Sequence, residues 1–176
     1  VRQISVLVAG EVNRPGIVQL TALSSILDAL GLAGGVKKTG SLRRIQVQRG
    51  DAVFWVDLYD LVLGLGGSQD LGVAEGDRIM VPSIGNVVAI VGDVKRPGIF
   101  ELAEGQVVAS FDELMTFVGG TLRPRGSIFK RATFDARGLE RLDTLVPEDL
   151  SGRDGDLIMV RRGADSQVGG VELAGH

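Results

Sequence analysis

The sequence predicts an α+β fold made of two tandem copies of one unit, each a small mixed sheet crossed by a short helix. Three blocks that recur in the same order, offset by 82, 85 and 79 residues, carry this expectation, because such self-similarity marks a duplicated unit. GEVNRPGIVQL at 10–20 returns as GDVKRPGIFEL at 92–102, with seven of eleven positions identical. SILDALGLAGG at 25–35 answers to SFDELMTFVGG at 110–120, and EGDRIMV at 75–81 to DGDLIMV at 154–160. The copies are placed at 1–83 and 87–162, joined through SIGN, with a flexible Gly-rich tail over 163–176. So short a joint favours two units that pack together over two beads on a string.

Each block has a local cause. The apolar, β-branched flanks ISVLVAGEV and VVAIVGDV precede RPG, and GIVQL and GIFEL follow it, which is the pattern of a hairpin. Pro15 and Pro97 preset φ near −65°, and Gly16 and Gly98 can take positive φ, so Arg14-Pro15-Gly16 and Arg96-Pro97-Gly98 are read as type II turns. Ser25 with Asp28, and Ser110 with Glu113, form capping boxes that satisfy free N–H groups of a first helical turn. Apolar residues follow at helical spacing: Ile26, Ala29, Leu30, Ala33 in the first copy and Phe111, Leu114, Met115, Val118 in the second. These stripes face the core, and Gly34-Gly35 and Gly119-Gly120 stop the helices.

Beyond the helices, SLRRIQVQR and SIFKRATF alternate as strands, RGD turns the first into AVFWVDL, and DLYDLVLG reads as a short helix capped by Asp57. GDRIMVP and GDLIMVR close the copies as turn-then-strand. The resulting β-β-α-β-(β/α)-β order is that of a β-grasp unit.

Composition removes several function classes. The 176 residues are 44% hydrophobic and 23% charged, ordinary for a folded globular chain, and a net charge of −3 gives no pull toward nucleic acid. With no cysteine there is neither disulfide nor thiolate-metal site. His176, the single histidine, is terminal, so Cys–His and Ser–His nucleophile pairs cannot be built; a Ser–Lys or carboxylate pair stays open. GLGGSQ at 64–69 lacks the third glycine of a dinucleotide fingerprint, and Asp77 and Asp156 sit in GD turns as turn formers. No catalytic residue, metal ligand or cofactor is therefore assigned. No run reaches the ~20 apolar residues of a membrane-spanning helix. Val1 is not an initiator, and the chain reads as an excised piece.

The repeated blocks, with EGDRIMVP running through SIGN into the second GDVKRPGIFEL, resemble tandem soluble-ligand-binding β-grasp (SLBB) domains of outer-membrane polysaccharide export proteins. That resemblance implies a periplasmic, outer-membrane-associated module without catalysis. It also implies homo-oligomeric rings, docking to an inner-membrane polysaccharide copolymerase or export component, and handling of capsule or exopolysaccharide. The family's lipid-anchoring cysteine and export-signature domain have no counterpart here. RATFDARGLERLDTLVPEDL lacks a clean equivalent of FWVDLYDLV.

Two features carry candidate contacts. Lys37, Lys38, Arg43, Arg44 and Arg49 follow one another with no acid until Asp51, and the second copy sets Arg123, Arg125, Lys130, Arg131, Arg137 and Arg141 in the same region, against Asp135 and Glu140. They are either a solvated strand face or a contact for acidic polysaccharide or a neighbouring subunit. With the acidic positions Asp57, Asp60, Asp70 and Glu75, the basic segment of copy one supplies two faces of a head-to-tail contact. Trp55 and Tyr59, the only Trp and Tyr, either cover apolar surface or stack on a sugar. Two functions remain: an assembly module of an exporter, and a module that holds a soluble ligand, plausibly carbohydrate, in a groove near Trp55.

Overall fold

The computed structural model describes residues 1–66 and 71–163. The chain divides into two compact units, one ending at Gly85 and the next starting at Asn86. Beyond Gly163, the tail expected from sequence lies outside the described residues, as do His176 and Asp70.

Unit 1 contains β1 (Gln3–Gly10), β2 (Gly16–Thr21), α1 (Ile26–Leu32), β3 (Ile45–Arg49), β4 (Ala52–Val56), α2 (Tyr59–Val62) and β5 (Arg78–Val81). Its sheet runs β2-β1-β5-β3-β4, with β1 and β5 parallel and the other neighbours antiparallel. Strand alternation sorts the residues. Ile4, Val6, Val8, Ile45, Val47, Ile79 and Val81 point inward and bury against Ile26, Ala29 and Leu30 of α1. A seven-residue helix is marginal alone, so this packing is what keeps it folded. Its capping box is complete in both directions.

Unit 2 repeats the plan with β6 (Val87–Gly92), β7 (Gly98–Glu101), β8 (Val108–Ser110), α3 (Phe111–Val118), β9 (Ser127–Phe134), β10 (Glu140–Leu145), a 3-10 turn (Pro147–Asp149), β11 (Ser151–Arg153) and β12 (Leu157–Arg162). Its five-stranded sheet runs β10-β9-β12-β6-β7, again with one parallel pair, β6 and β12. The predicted α+β architecture of two mixed sheets, each with a capped helix, is what the structure contains.

Three local expectations change. RPG is not a type II turn: Gly16 has φ +149°, and Gly98 is not in the positive-φ region at all. Both glycines instead open the returning strand, Gly16 opposite Val8 and Gly98 opposite Ile90. The left-handed glycines come earlier, at Gly10 (φ +87°) and Gly92 (φ +99°), which end β1 and β6 and lead into the bends that follow. The loop between then lies across the end of the helix. Arg14 N–H donates to Ala33 O at 2.7 Å, Asn13 N–H to Gly35 O, Lys95 N–H to Gly120 O, and Arg96 Nε to Phe117 O at 3.0 Å. These donors satisfy carbonyls that a helix leaves unpaired at its C-terminus, and the arginine adds a cation where the dipole is negative. Secondly, Leu58 rather than Asp57 takes the cap position of α2, although Asp57 Oδ1 still accepts from Tyr59 N–H at 2.9 Å. Thirdly, the second copy does have its fourth strand: β10 pairs with β9 as β4 pairs with β3.

Candidate functional site

The outer face of the unit 1 sheet, opposite α1, is where accessible side chains of mixed chemistry converge. Cross-strand register fixes two rows. One runs Ile17–Leu7–Arg78–Gln48–Val53, and the other Ala9–Met80–Gln46–Trp55. Between them lies a depression of about 190 Å³ lined by Leu7, Ala9, Gln46, Gln48, Arg78 and Met80. Trp55 flanks it, 58% exposed, and Ile17 stands at the far edge, 70% exposed. The Arg78 side chain is exposed and makes no hydrogen bond or ion pair among the described residues, while Gln46 is half-buried.

The sequence-predicted contact residues separate into two groups. Lys37, Lys38 and Trp55 are exposed. The arginines are engaged inside the unit. Arg43 Nε donates to Asp57 Oδ2 at 3.0 Å and its guanidinium lies 4.6 Å over the ring of buried Tyr59. Arg44 donates to Ser83 O at 2.9 Å. Arg43 and Asp57, expected on opposite contact faces, thus meet within one unit, and Glu75 accepts from Ser5 N–H at 2.7 Å. Tyr59 is buried against the core, while Trp55 faces outward from β4.

Arg49 holds the one strongly shaped electrostatic centre of the unit. It donates to both carboxylate oxygens of Asp77, from Nε at 2.9 Å and from a terminal nitrogen at 2.7 Å, and to Gly72 O. The Asp77 side chain has no exposed surface. Burial alone would push its carboxyl up. The Arg49 hydrogen bonds, the Ala74 N–H and the Arg49 charge outweigh burial and hold the carboxyl below its usual range. The pair ties the end of β3 to the turn before β5, so its role is structural. Asp156 and Arg131 occupy the matching place in unit 2, with Arg131 Nε 3.0 Å from Asp156 Oδ2 but not aligned as a hydrogen bond.

Sequence reasoning did not single out Arg78, Gln46 or Gln48. The signal was present in the alternation of IQVQR and RIMV, which puts these three on the face away from Val47 and Ile79. Among the described residues no group of three or more His, Cys, Asp or Glu is placed to hold a metal ion. No described helix is long and apolar enough to cross a membrane.

The SLBB domain family matches residues 5–57 and 87–128, together more than half of the chain and one stretch in each unit. The chain belongs to the SLBB domain family. Each matched stretch begins in the first strand of its unit and runs through the RPG loop and the capped helix into the strand that follows. No curated protein matches the chain. SLBB domains are a binding-domain family, and the face just described is one exposed surface of the first such domain.

Proposed function

We propose that this tandem SLBB chain is a periplasmic assembly and docking module of a polysaccharide export system, associated with the outer membrane. In this reading it works by self-association into rings and by contact with an inner-membrane copolymerase or export component. The observation that carries the reading is the duplication itself: two SLBB-matched units in one chain, with the same helix-end docking loop and the same exposed isoleucine after it, Ile17 and Ile99. Exposed large apolar side chains at matching positions of successive units suit repeated contacts between subunits, since apolar anchors dominate interface energy.

The test is genetic and biochemical. Deleting the coding sequence of residues 1–163 in its host should abolish surface polysaccharide, and the protein should fractionate with the periplasm and sediment as an oligomer. Normal surface polysaccharide after the deletion would overturn the export reading.

The second reading, a module that holds a soluble ligand, has a specific observation in its favour. The depression beside Trp55, with an apolar floor and three polar side chains, suits a ligand face more than a subunit contact. The two readings meet if the ligand is the exported polymer.

A further inference from the structure

Resting on the polysaccharide reading, we infer that the outer sheet face of unit 1 binds a carboxylate-bearing glycan in the depression beside Trp55. The floor is apolar, from Leu7, Ala9 and Met80, and the polar groups are Gln46, Gln48 and Arg78. Arg78 is the one charged side chain that the strands place on this face, and it is unengaged among the described residues. That contrasts with Arg43, Arg44 and Arg49, each of which has an internal partner. A free guanidinium fork matches a carboxylate in two parallel hydrogen bonds. The two amides offer donors and acceptors suited to ring hydroxyls, and an exposed indole offers a flat apolar platform for the C–H face of a sugar ring.

Unit 2 removes the alternative that the fold demands this set. By strand register Leu157 stands where unit 1 has Arg78, Ala132 where it has Gln48, Lys130 where it has Gln46, and Thr144 where it has Trp55. The same sheet therefore forms without the guanidinium, the amides or the indole. A flat apolar partner is also a poor occupant, because it would bury Arg78 without a counter-charge. An acidic, hydroxyl-rich ligand satisfies the charge and the amides together.

Trp55 is the only tryptophan, so its fluorescence reports the site directly. The purified chain is titrated with oligogalacturonate and oligomannuronate, with a neutral galacto-oligosaccharide of equal length as control. We expect a saturable change in Trp55 emission with the uronates that weakens as salt is raised. Arg78→Leu, which installs the unit 2 residue, should weaken binding by about tenfold or more, while Arg123→Leu on unit 2 leaves it unchanged. Circular dichroism checks that each variant folds, and Trp55→Thr, followed by calorimetry, should also lose affinity. No response to either uronate, an equal response to the neutral sugar, or undiminished binding by Arg78→Leu would overturn the inference. A concentration-dependent dimer that shields Trp55 without glycan would overturn it in favour of a second copy. In the host, normal export by Arg78→Leu alongside lost export on deletion would sink the glycan site alone. Normal export on deletion would sink the export reading instead.

Discussion

The two units share the same strand order and several matching backbone bonds, yet present different outer faces. Leu7 N–H donates to Asp77 O and Ala89 N–H to Asp156 O; Glu11 N–H donates to Val81 O and Asp93 N–H to Val160 O. Ala74 N–H donates to the Asp77 carboxylate and Arg153 N–H to that of Asp156. What differs lies where the skeleton makes no demand. The centre of one outer face is Arg78 and Gln48, and of the other Leu157 and Ala132. The buried pair shows the same freedom in another form. Arg49 reaches Asp77 from the last residue of β3, whereas Arg131 comes from mid-strand in β9, opposite Ile158, the register place that Val47 fills in unit 1 opposite Ile79. Duplication has kept the carboxylate of the turn and let the arginine move. The invariant parts are those that backbone geometry requires, and the variable parts are those left for function.

The sharpest way to break that account is at the shared chain reversal. At Gly10 a Cβ would lie 2.1 Å from the Val81 carbonyl oxygen, and at Gly92 2.1 Å from that of Val160, both at strongly positive φ. Strain at such a φ costs ~1–3 kcal/mol, and overlap with a rigid backbone adds ~1–3 kcal/mol. Gly10→Ala and Gly92→Ala should each lose roughly 3–5 kcal/mol in urea unfolding. Gly98→Ala, with only the Phe100 ring at 3.7 Å, should stay within about 0.5 kcal/mol of the parent. Equal losses at Gly92 and Gly98 would restore the RPG turn as the reversal.

A second, smaller effect compares the two carboxylates. Asp77→Asn removes a carboxylate with no exposed surface from Arg49, whose own side chain is 41% exposed, and the lost charge-assisted hydrogen bonds should cost about 2 kcal/mol at pH 7. Asp156, with 14% of its side chain exposed and a less aligned arginine, should cost less. The pH dependence has a definite sign. The folded Asp77 carboxyl titrates below its unfolded value, so its stabilisation is full above the unfolded pKa of ~3.9 and is lost as pH falls through the folded value. Urea midpoints of the parent and Asp77→Asn should therefore converge on acidification below about pH 4. A gap that is constant from pH 7 to pH 2.5 would assign the loss to packing instead.

The capping boxes give a third comparison, expected to come out equal. Ser25 and Ser110 each accept from the third helical N–H at 3.3 Å and have the reciprocal carboxylate bond, so Ser→Ala at either should cost about 1 kcal/mol. A several-fold difference between the two would mean that one helix depends on tertiary contacts and not on its cap.

These boxes also mark what was legible in the sequence. Capping, helix stripes and turn glycines are local, so SILDALG and SFDELMTF announce themselves; Ile26, Ala29, Leu30, Leu114 and Val118 are all buried as their spacing implies. Phe117, stacked on Phe100 of β7 at 5.3 Å, was outside the strict stripe and is buried all the same. The RPG motif misled because proline and glycine fit several turns, and the deciding contact, the approach of Val81 and Val160 to Gly10 and Gly92, is long-range. β10 was hidden because its residues ERLDTL keep the strand but not the aromatic and β-branched content of AVFWV. The open face was hidden for the opposite reason. Alternation names the outward residues of each strand, but only the order β1-β5-β3-β4 brings Arg78, Gln46, Gln48 and Trp55 together.

The smallest expected effect concerns the basic segments, where both units show one division of labour. Exposed cations come first, Lys37 and Lys38 in unit 1 and Arg123 and Arg125 in unit 2, and an arginine bound to the turn carboxylate follows, Arg49 and Arg131. Charges surrounded by water contribute little to stability, because screening and side-chain entropy offset their Coulomb energy. Lys37→Gln with Lys38→Gln, and Arg123→Gln with Arg125→Gln, should each leave the urea midpoint within the equivalent of about 0.5 kcal/mol. Arg49→Met, by contrast, leaves a carboxylate without solvent or counter-charge and should approach the Asp77→Asn loss. Should the lysine pair destabilise as much as Arg49→Met, the segment would be one cooperative structural strip. If it does not, those lysines are free for a partner, and if the full-length protein proves to self-associate, salt-sensitive weakening of that association in the same variant would place them at its contact. Reversal of Arg43 and Arg44 cannot make that distinction, since both side chains hold unit 1 together through Asp57 and Ser83.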